Sequence, residues 1–182
     1  MEILVRLLVL MLFFVSPSLA DRINVFEFTE TELLSLEVKK VRGANNKTSY
    51  SVGSNENGNY LKAVADNAAS GLGKEIKIDL NKTPFINITW KVEKDLSGII
   101  ENSKKGHDFA ARVFVVKKTG KTALSNRAVN YVFSSNNSIN ESWRSPYTKK
   151  SIDYVLSTTK DNLNKWVTVK ANVKDHFKKL HN

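Results

Sequence analysis

The chain has 182 residues, no cysteine and a formal net charge of +10 at pH 7. The lack of cysteine excludes a disulfide framework and a lipid-modified cysteine, and a chain of this length can bury enough apolar surface to fold without cross-links. The positive charge favours anionic partners, but lysines occur in every segment and form no clustered stripe, so we expect no nucleic-acid partner.

The first 20 residues are typical of a secretory signal peptide. A short start containing Arg6 precedes an apolar run over residues 7–15, and Ser18 and Ala20 are small residues at the positions that signal peptidase reads. The run is too short to span a bilayer, although an uncleaved anchor is the alternative. We therefore predict a periplasmic or secreted mature chain, residues 21–182, that forms a single domain with no transmembrane segment after cleavage.

Short amphipathic segments separated by turns follow in the first half of the chain. We predict strands over residues 23–28, 35–41, 48–52, 60–65 and 74–80. Thr29 is expected to cap a helical turn, with Glu32 three residues later as in a capping box. Residues 55–59 are rich in Asn and Gly, which accept positive φ, and they predict a hairpin turn.

The second half of the chain continues this pattern. We predict strands over residues 85–92, 108–116, 127–134, 152–156 and 166–169. Residues 135–145 are expected to form a loop in which Trp143 either covers the core or provides an exposed platform. Asn172 is expected to cap a short final helix over residues 173–180. Short strands without a long helix indicate an all-β fold, namely an antiparallel two-sheet β-sandwich of jelly-roll type with a short C-terminal helix.

One predicted strand carries an arginine in an apolar run. With a period of two, one face carries Phe109, Ala111, Val113 and Val115, and the other carries Asp108, Ala110, Arg112 and Phe114. Asp108 and Arg112 would lie about 13 Å apart along this strand and could not pair. A buried guanidinium is costly without a partner. Three interpretations stay open, namely a structural arginine, a ligand-facing arginine and an exposed edge residue.

Strand alternation predicts a polar patch around this arginine. The candidate ligand-binding residues are Arg112, Asp108, Lys91, Asn130, Ser134, Tyr147 and Trp143. Four of them fall on the non-core faces of three strands, and they form one patch if these strands are neighbours. The planar fork of arginine suits carboxylate or hydroxyl-rich ligands, and the two loop aromatics can stack on a sugar ring. We expect an anionic polysaccharide or a cell-envelope component as the partner.

No pattern typical of catalysis or metal binding stands out. The three histidines are far apart in the sequence, and no nucleophile elbow is present. We therefore predict no catalytic residue, no metal and no cofactor, and a non-enzymatic glycan-binding protein. One alternative is a polysaccharide lyase or hydrolase, in which Arg112 neutralises a uronate while His107 or Tyr147 moves the proton. The other alternative is a structural envelope protein.

Several motifs together resemble a known family. They are Ser-Gly-Leu at 70–72, Thr-Trp-Lys-Val at 89–92, Gly-His-Asp-Phe-Ala-Ala-Arg-Val-Phe-Val-Val at 106–116, Asn-Tyr-Val-Phe-Ser at 130–134, Ser-Pro-Tyr-Thr at 145–148, Trp-Val at 166–167 and Val-Lys-Asp-His-Phe at 173–177. From residue 48 to its C-terminus, the chain resembles the domain-of-unknown-function 3047 (DUF3047) family of exported bacterial proteins. The resemblance implies a secreted or periplasmic β-sandwich and no particular activity.

The chain departs from that family in two places. His107 stands where family members often have a second acidic residue. Members also continue beyond the final helix with further strands. The resemblance therefore implies either that this chain is a shortened version or that its sandwich is closed differently. We predict that it lacks its last strand or strands and has an exposed sheet edge, which is an aggregation liability.

Overall fold

A computed structural model describes residues 22–41 and 43–181. The chain divides into two compact units, Met1–Lys77 and Ile78–Asn182. As predicted, the described residues are mostly β, in several sheets, and they end in a short helix. The predicted signal peptide lies outside the described residues. The single domain and the missing last strand stay predictions.

The first unit contains one short helix and two antiparallel strand pairs. Its elements are α1 (Glu30–Ser35), β1 (Lys39–Lys40), β2 (Ser49–Asn55), β3 (Gly58–Val64) and β4 (Ser70–Gly71). Strands β2 and β3 form the predicted hairpin, and β1 pairs with β4. Gly58 opens β3 at a φ of +112°, a conformation that favours glycine. The strand predicted over 35–41 is shortened to β1, and no strand forms over the predicted residues 74–80.

The strand predicted over residues 23–28 is wrong, because its backbone donors bind a side chain. The Glu32 carboxylate accepts hydrogen bonds from the N–H groups of Glu27 and Phe28 at 2.8 and 2.9 Å. Thr29 caps α1 as predicted, since its Oγ1 accepts from the Glu32 N–H at 3.1 Å. The Lys74 ammonium, 2.6 Å from the same carboxylate, holds the pKa of Glu32 below its usual value.

The second unit contains most of the strands. Its elements are β5 (Phe85–Trp90), β6 (Ala111–Lys117), a 3-10 turn (Ala123–Ser125), β7 (Arg127–Ser134), β8 (Ser142–Arg144), β9 (Ser151–Thr158), α2 (Thr159–Asn162), β10 (Val167–Asn172) and α3 (Val173–Leu180). A four-stranded sheet has the order β6-β7-β9-β8, and β5 pairs with β10. The predicted loop over residues 135–145 thus contains strand β8.

One strand pairing differs from the antiparallel prediction. Strands β7 and β9 pair in parallel, with a register shift after Val132. The connection between them passes through β8, which pairs antiparallel with β9. Side-chain alternation is the same in parallel and antiparallel strands, so the sequence pattern cannot distinguish the two directions.

The main core lies on one face of the four-stranded sheet. Val129, Tyr131 and Phe133 of β7 are fully buried there. They pack with residues of β5, β10 and α3, namely Ile88, Trp90, Ala171, Val173 and Phe177. The predicted alternation of β5 is confirmed, because Asn87 and Thr89 are exposed between its buried residues. Each fully buried large apolar side chain contributes about 1.5–3 kcal/mol to folding.

The opposite face of the sheet carries Arg112 and is called here the Arg112 face. Arg112 of β6 is in register with Val132 of β7, and residues in register project to the same side of a sheet. Asn130 of β7 and Trp143 of β8 are both in register with Asp153 of β9. These five residues define the face.

Strand β6 is an outer strand of this sheet in the described part of the chain. Its residues Phe114 and Val116 are 58% and 54% exposed.

Phe109 lies on the Arg112 face, and its predicted place beside Ala111 on the other face is wrong. It packs with Val132 and Val155 in a second, smaller apolar cluster, with Trp143 against it. Strand β6 begins only at Ala111, so strict alternation does not extend back to Phe109.

Candidate functional site

The Arg112 guanidinium packs against two aromatic rings. Its Cζ lies 4.3 Å from the ring centroid of Phe109 and 5.2 Å from that of Phe114. The residue is half-buried, and within the described residues its guanidinium forms no hydrogen bond and no close ion pair. Its five N–H donors therefore stay available to solvent or to a ligand, while cation–π contacts restrain the position of the group.

Three carboxylates act on Arg112 through space without forming a close ion pair. Burial lowers the pKa of Arg112 below its usual value, and the negative charges of Asp153, Asp108 and Glu101 offset part of this effect. Arginine nevertheless stays charged throughout the physiological range. Arg112 therefore has no paired carboxylate among the described residues, and these three acidic side chains offset the cost of its burial only from a distance.

A buried polar network lies in the middle of the Arg112 face. His107 Nε2 is 2.8 Å from Asp153 Oδ2, and the two side chains are 7% and 0% exposed. Asn130 Nδ2 donates to Asp153 Oδ1 at 2.9 Å and to Ser151 Oγ at 2.8 Å. The hydrogen bond between the ring nitrogen and the carboxylate fixes the orientation of the imidazole. His107 is thus an oriented histidine whose Nε2 contacts the Asp153 carboxylate.

Two polar atoms on this face are buried without a partner. Asn130 Oδ1 and Trp143 Nε1 form no hydrogen bond within the described residues. They flank Asp153 from either side, since both residues are in register with it. An acceptor and a donor without partners are costly inside a protein, which marks this part of the face as incompletely satisfied.

A chain of aromatic contacts connects Arg112 to the protein surface. The Phe109 ring stacks on Trp143 at a centroid distance of 6.1 Å and meets the edge of His107 at 5.3 Å. His107 in turn contacts Tyr147 at 5.4 Å. Tyr147 is 65% exposed, and its hydroxyl donates to the backbone oxygen of Lys104 at 2.8 Å. The face thus presents an oriented aromatic ring to solvent.

Ser134 lies at the far end of the face and binds a buried carboxylate. Its hydroxyl donates to Glu101, which also accepts from the Ser135 N–H at 2.8 Å and from the Asn137 side chain. Ser134 and Glu101 are 0% and 1% exposed. Ser134 therefore anchors the loop before β6, and a ligand at the surface does not reach it in this conformation.

Lys91 does not lie with the other predicted site residues. It directly follows β5 and forms an ion pair with Glu93 at 2.7 Å. Strand β5 pairs with β10 in a separate sheet, so the assumption that all three strands are neighbours is wrong for Lys91. Asp108 is exposed, and its Oδ1 accepts from the Phe109 N–H at 2.9 Å.

The sequence interpretation missed Asp153, Glu101 and the placement of Phe109. Asp153 had a readable signal, because it interrupts a run of strand residues between Ile152 and Tyr154 in the same way as Arg112 does. Glu101 had no such signal, since it lies in a polar segment whose burial depends on contacts with β7. In the part of the chain that the structure describes, no three His, Asp or Glu side chains are grouped as metal ligands.

Comparison with known proteins gives one result. A family model described as a protein of unknown function (DUF3047) matches residues 35–182, a longer segment than the motifs alone indicated. No curated protein and no solved structure matches the chain. Among the described residues, no helix has both the length and the apolar character needed to cross a membrane.

Proposed function

The chain belongs to the DUF3047 family, whose function is unknown, and we propose that it is an exported, non-enzymatic protein. We propose further that it binds a cell-envelope glycan through the Arg112 face. The pattern of the first 20 residues supports export. We also propose that the four-stranded sheet and the β5–β10 pair, which share one core, form a β-sandwich with α3.

The observation that carries the binding proposal is the state of the Arg112 guanidinium. It is half-buried and held by two rings, and its donors are not used within the described residues. Holding a partly desolvated charge in this way costs folding energy, and it prepares a planar set of donors for acceptor atoms of a ligand. A preorganised group of this kind loses little entropy on binding.

The surroundings favour a ligand rich in hydroxyl groups. Asp108 is exposed and offers acceptor oxygens near the Arg112 donors, and a sugar hydroxyl both donates and accepts. The exposed Tyr147 ring provides a flat apolar surface beside a polar tip, which suits a pyranose ring. The acidic charges near Arg112 disfavour a densely anionic ligand at this face, so we expect neutral or weakly acidic glycans to bind best.

The test is binding of the mature chain to immobilised dextran, chitin, alginate and polygalacturonate. We expect Arg112→Ala to weaken binding about tenfold or more, as the loss of charge-assisted hydrogen bonds predicts. Arg112→Lys should bind with an affinity between those of the wild type and Arg112→Ala, because lysine keeps the charge and lacks the planar fork. Lys174→Ala, at an exposed lysine in α3, is the matched control, and circular dichroism verifies folding. Equal binding by wild type and both Arg112 variants contradicts the proposal.

One observation favours an enzyme as the second candidate. The His107–Asp153 pair has the geometry of a general base with an orienting carboxylate, and Tyr147 and Arg112 are connected to it through aromatic contacts. A lyase would produce unsaturated uronate ends from alginate or polygalacturonate, detected by ultraviolet absorbance, and a hydrolase would produce reducing ends. Turnover that His107→Ala abolishes would replace the binding proposal. Absence of both turnover and binding would favour the structural protein.

A further inference from the structure

A cluster of basic side chains surrounds a small cavity at one end of the four-stranded sheet. The cavity has a volume of about 210 Å³ and is lined by Arg127, Arg144, Lys149, Lys150, Leu180 and His181. It forms where β7 begins, β8 ends and α3 ends. Arg144 is in register with Ile152, so it projects away from the Arg112 face, to which its neighbour Trp143 belongs. The cavity is therefore separate from the face described above.

The positive charge of this cavity is not neutralised by a carboxylate. No Asp or Glu lines it, and in the described part of the chain none of its four Lys and Arg side chains forms an ion pair. Arg127 donates to the backbone oxygen of Ser125 at 3.3 Å, and Lys150 donates to that of Leu124. These carbonyls orient the two cations, and the C-terminal end of α3 adds a weak negative field.

Four like charges around one concavity repel each other, and such a site concentrates anions. Arginine binds tetrahedral oxyanions through two parallel hydrogen bonds, and lysine adds a point charge. A volume of about 210 Å³ is below the range of about 300–1,000 Å³ that is typical of larger ligands. It therefore suits a compact group such as phosphate or sulfate.

A second cavity shares two of these cations. It has a volume of about 310 Å³ and is lined by Leu124, Asn126, Arg127, Ala128, Thr148, Lys150 and Ser151. Its walls combine apolar groups with hydroxyl and amide groups, which suits the organic part of a molecule whose anionic group occupies the first cavity. Arg127 and Lys150 line both cavities, so they can contact a ligand that extends from one cavity into the other.

We propose that the cavity lined by Arg127, Arg144, Lys149 and Lys150 is an oxyanion site that binds a phosphate group, either free or as part of a phosphate ester. The proposal does not depend on glycan binding at the Arg112 face. It gives a binding role to four of the basic residues that lie outside the Arg112 face.

The test is calorimetric titration of the mature chain with inorganic phosphate and with glucose 1-phosphate, at constant ionic strength. We expect saturable binding that Arg144→Gln combined with Lys149→Gln weakens about tenfold or more, since two charge-assisted contacts are lost. Both side chains are exposed, so folding should persist, and Lys149→Gln alone serves if the double variant does not fold. Tighter binding of the ester identifies it as the ligand, whereas equal affinity indicates that the phosphate group alone is recognised.

The matched control changes the same number of charges elsewhere. Lys160→Gln combined with Lys174→Gln removes two exposed lysines from α2 and α3, and it should leave phosphate binding unchanged. Arg112→Ala should also bind phosphate normally, which separates this proposal from the proposed function. No saturable binding by the wild type, or equal weakening in the control variant, would overturn the site.

Discussion

At the scale of single residues, Arg112 and Glu101 show two ways in which this protein accommodates a charge. Glu101 is fully buried and accepts hydrogen bonds from Ser134, Ser135 and Asn137, so its carboxylate oxygens are satisfied by donors. Arg112 is half-buried and held by rings without using its donors. The first arrangement is a structural anchor, and the second is open to a ligand.

Removing the Glu101 carboxylate should destabilise the second unit. Glu101→Ala leaves the Ser134 hydroxyl and the Ser135 N–H without their acceptor, and we expect the free energy of unfolding to fall by about 2–4 kcal/mol, because each unsatisfied buried group costs about 1–3 kcal/mol. Urea denaturation followed by tryptophan fluorescence measures this loss.

The exposed Glu141 provides the control for this prediction. Glu141→Ala should change the free energy of unfolding by less than about 0.5 kcal/mol. An equally small effect of Glu101→Ala would show that its hydrogen bonds contribute nothing net to stability.

At the scale of elements, the junction between β10 and α3 depends on one side chain. Strand β10 ends at Asn172 and α3 begins at the next residue. Asn172 Oδ1 accepts from the Asp175 N–H at 3.1 Å, and its Nδ2 donates to the Asp175 carboxylate at 2.8 Å. Because Val173 and Phe177 of α3 are buried in the main core, the cap also holds an apolar part of the core in place.

Loss of this cap should weaken the fold by a moderate amount. We expect Asn172→Ala to lower the free energy of unfolding by about 1 kcal/mol, the usual cost of losing an N-cap side chain. Asn172→Ser should retain most of the stability, because serine also accepts a hydrogen bond from the first helical turn. Thermal unfolding followed by circular dichroism distinguishes the two, and equal loss in both variants would assign the effect to the Asp175 contact.

At the scale of the whole unit, a half-buried histidine connects stability to pH. His176 of α3 contacts Tyr131 through a 3.1 Å hydrogen bond and Tyr154 through ring packing at 4.3 Å. Burial lowers the pKa of His176 below its usual value, the charge of Lys179 lowers it further, and Asp175 offsets part of the shift. Burial likewise raises the pKa of Tyr131. This pair is therefore neutral in the folded protein near pH 7.

We expect the protein to lose stability as the pH falls below about 6.5, the usual histidine pKa of an unfolded chain. In that range the unfolded state binds a proton that folded His176 does not yet bind, so the free energy of unfolding decreases by at most about 1.4 kcal/mol per pH unit for this group. The decrease ends once the folded histidine is protonated as well.

His176→Phe isolates this contribution. The variant removes the titrating group and keeps an aromatic ring in the stack, so its free energy of unfolding should vary less with pH between about 5 and 7 than that of the wild type. Denaturation at several pH values measures the two slopes. Identical slopes would show that His176 titrates alike in both states.

The sequence by itself determined the features that depend on neighbouring residues. The hairpin around Gly58, the alternation of β5, the Thr29 cap and the α3 helix with its Asn172 cap were all predicted and are confirmed. The physical reason is that turn conformation, capping hydrogen bonds and strand alternation involve residues only a few positions apart.

Only the tertiary structure decided which elements are neighbours. It placed β7 parallel to β9, separated Lys91 from the sheet of Arg112, and brought Asp153 to His107 across 46 residues of sequence. It also gathered the four cations that line the smaller cavity from β7, β8 and the loop before β9. Local patterns assign a side chain to a face, but the contacts across that face depend on the packing of distant segments.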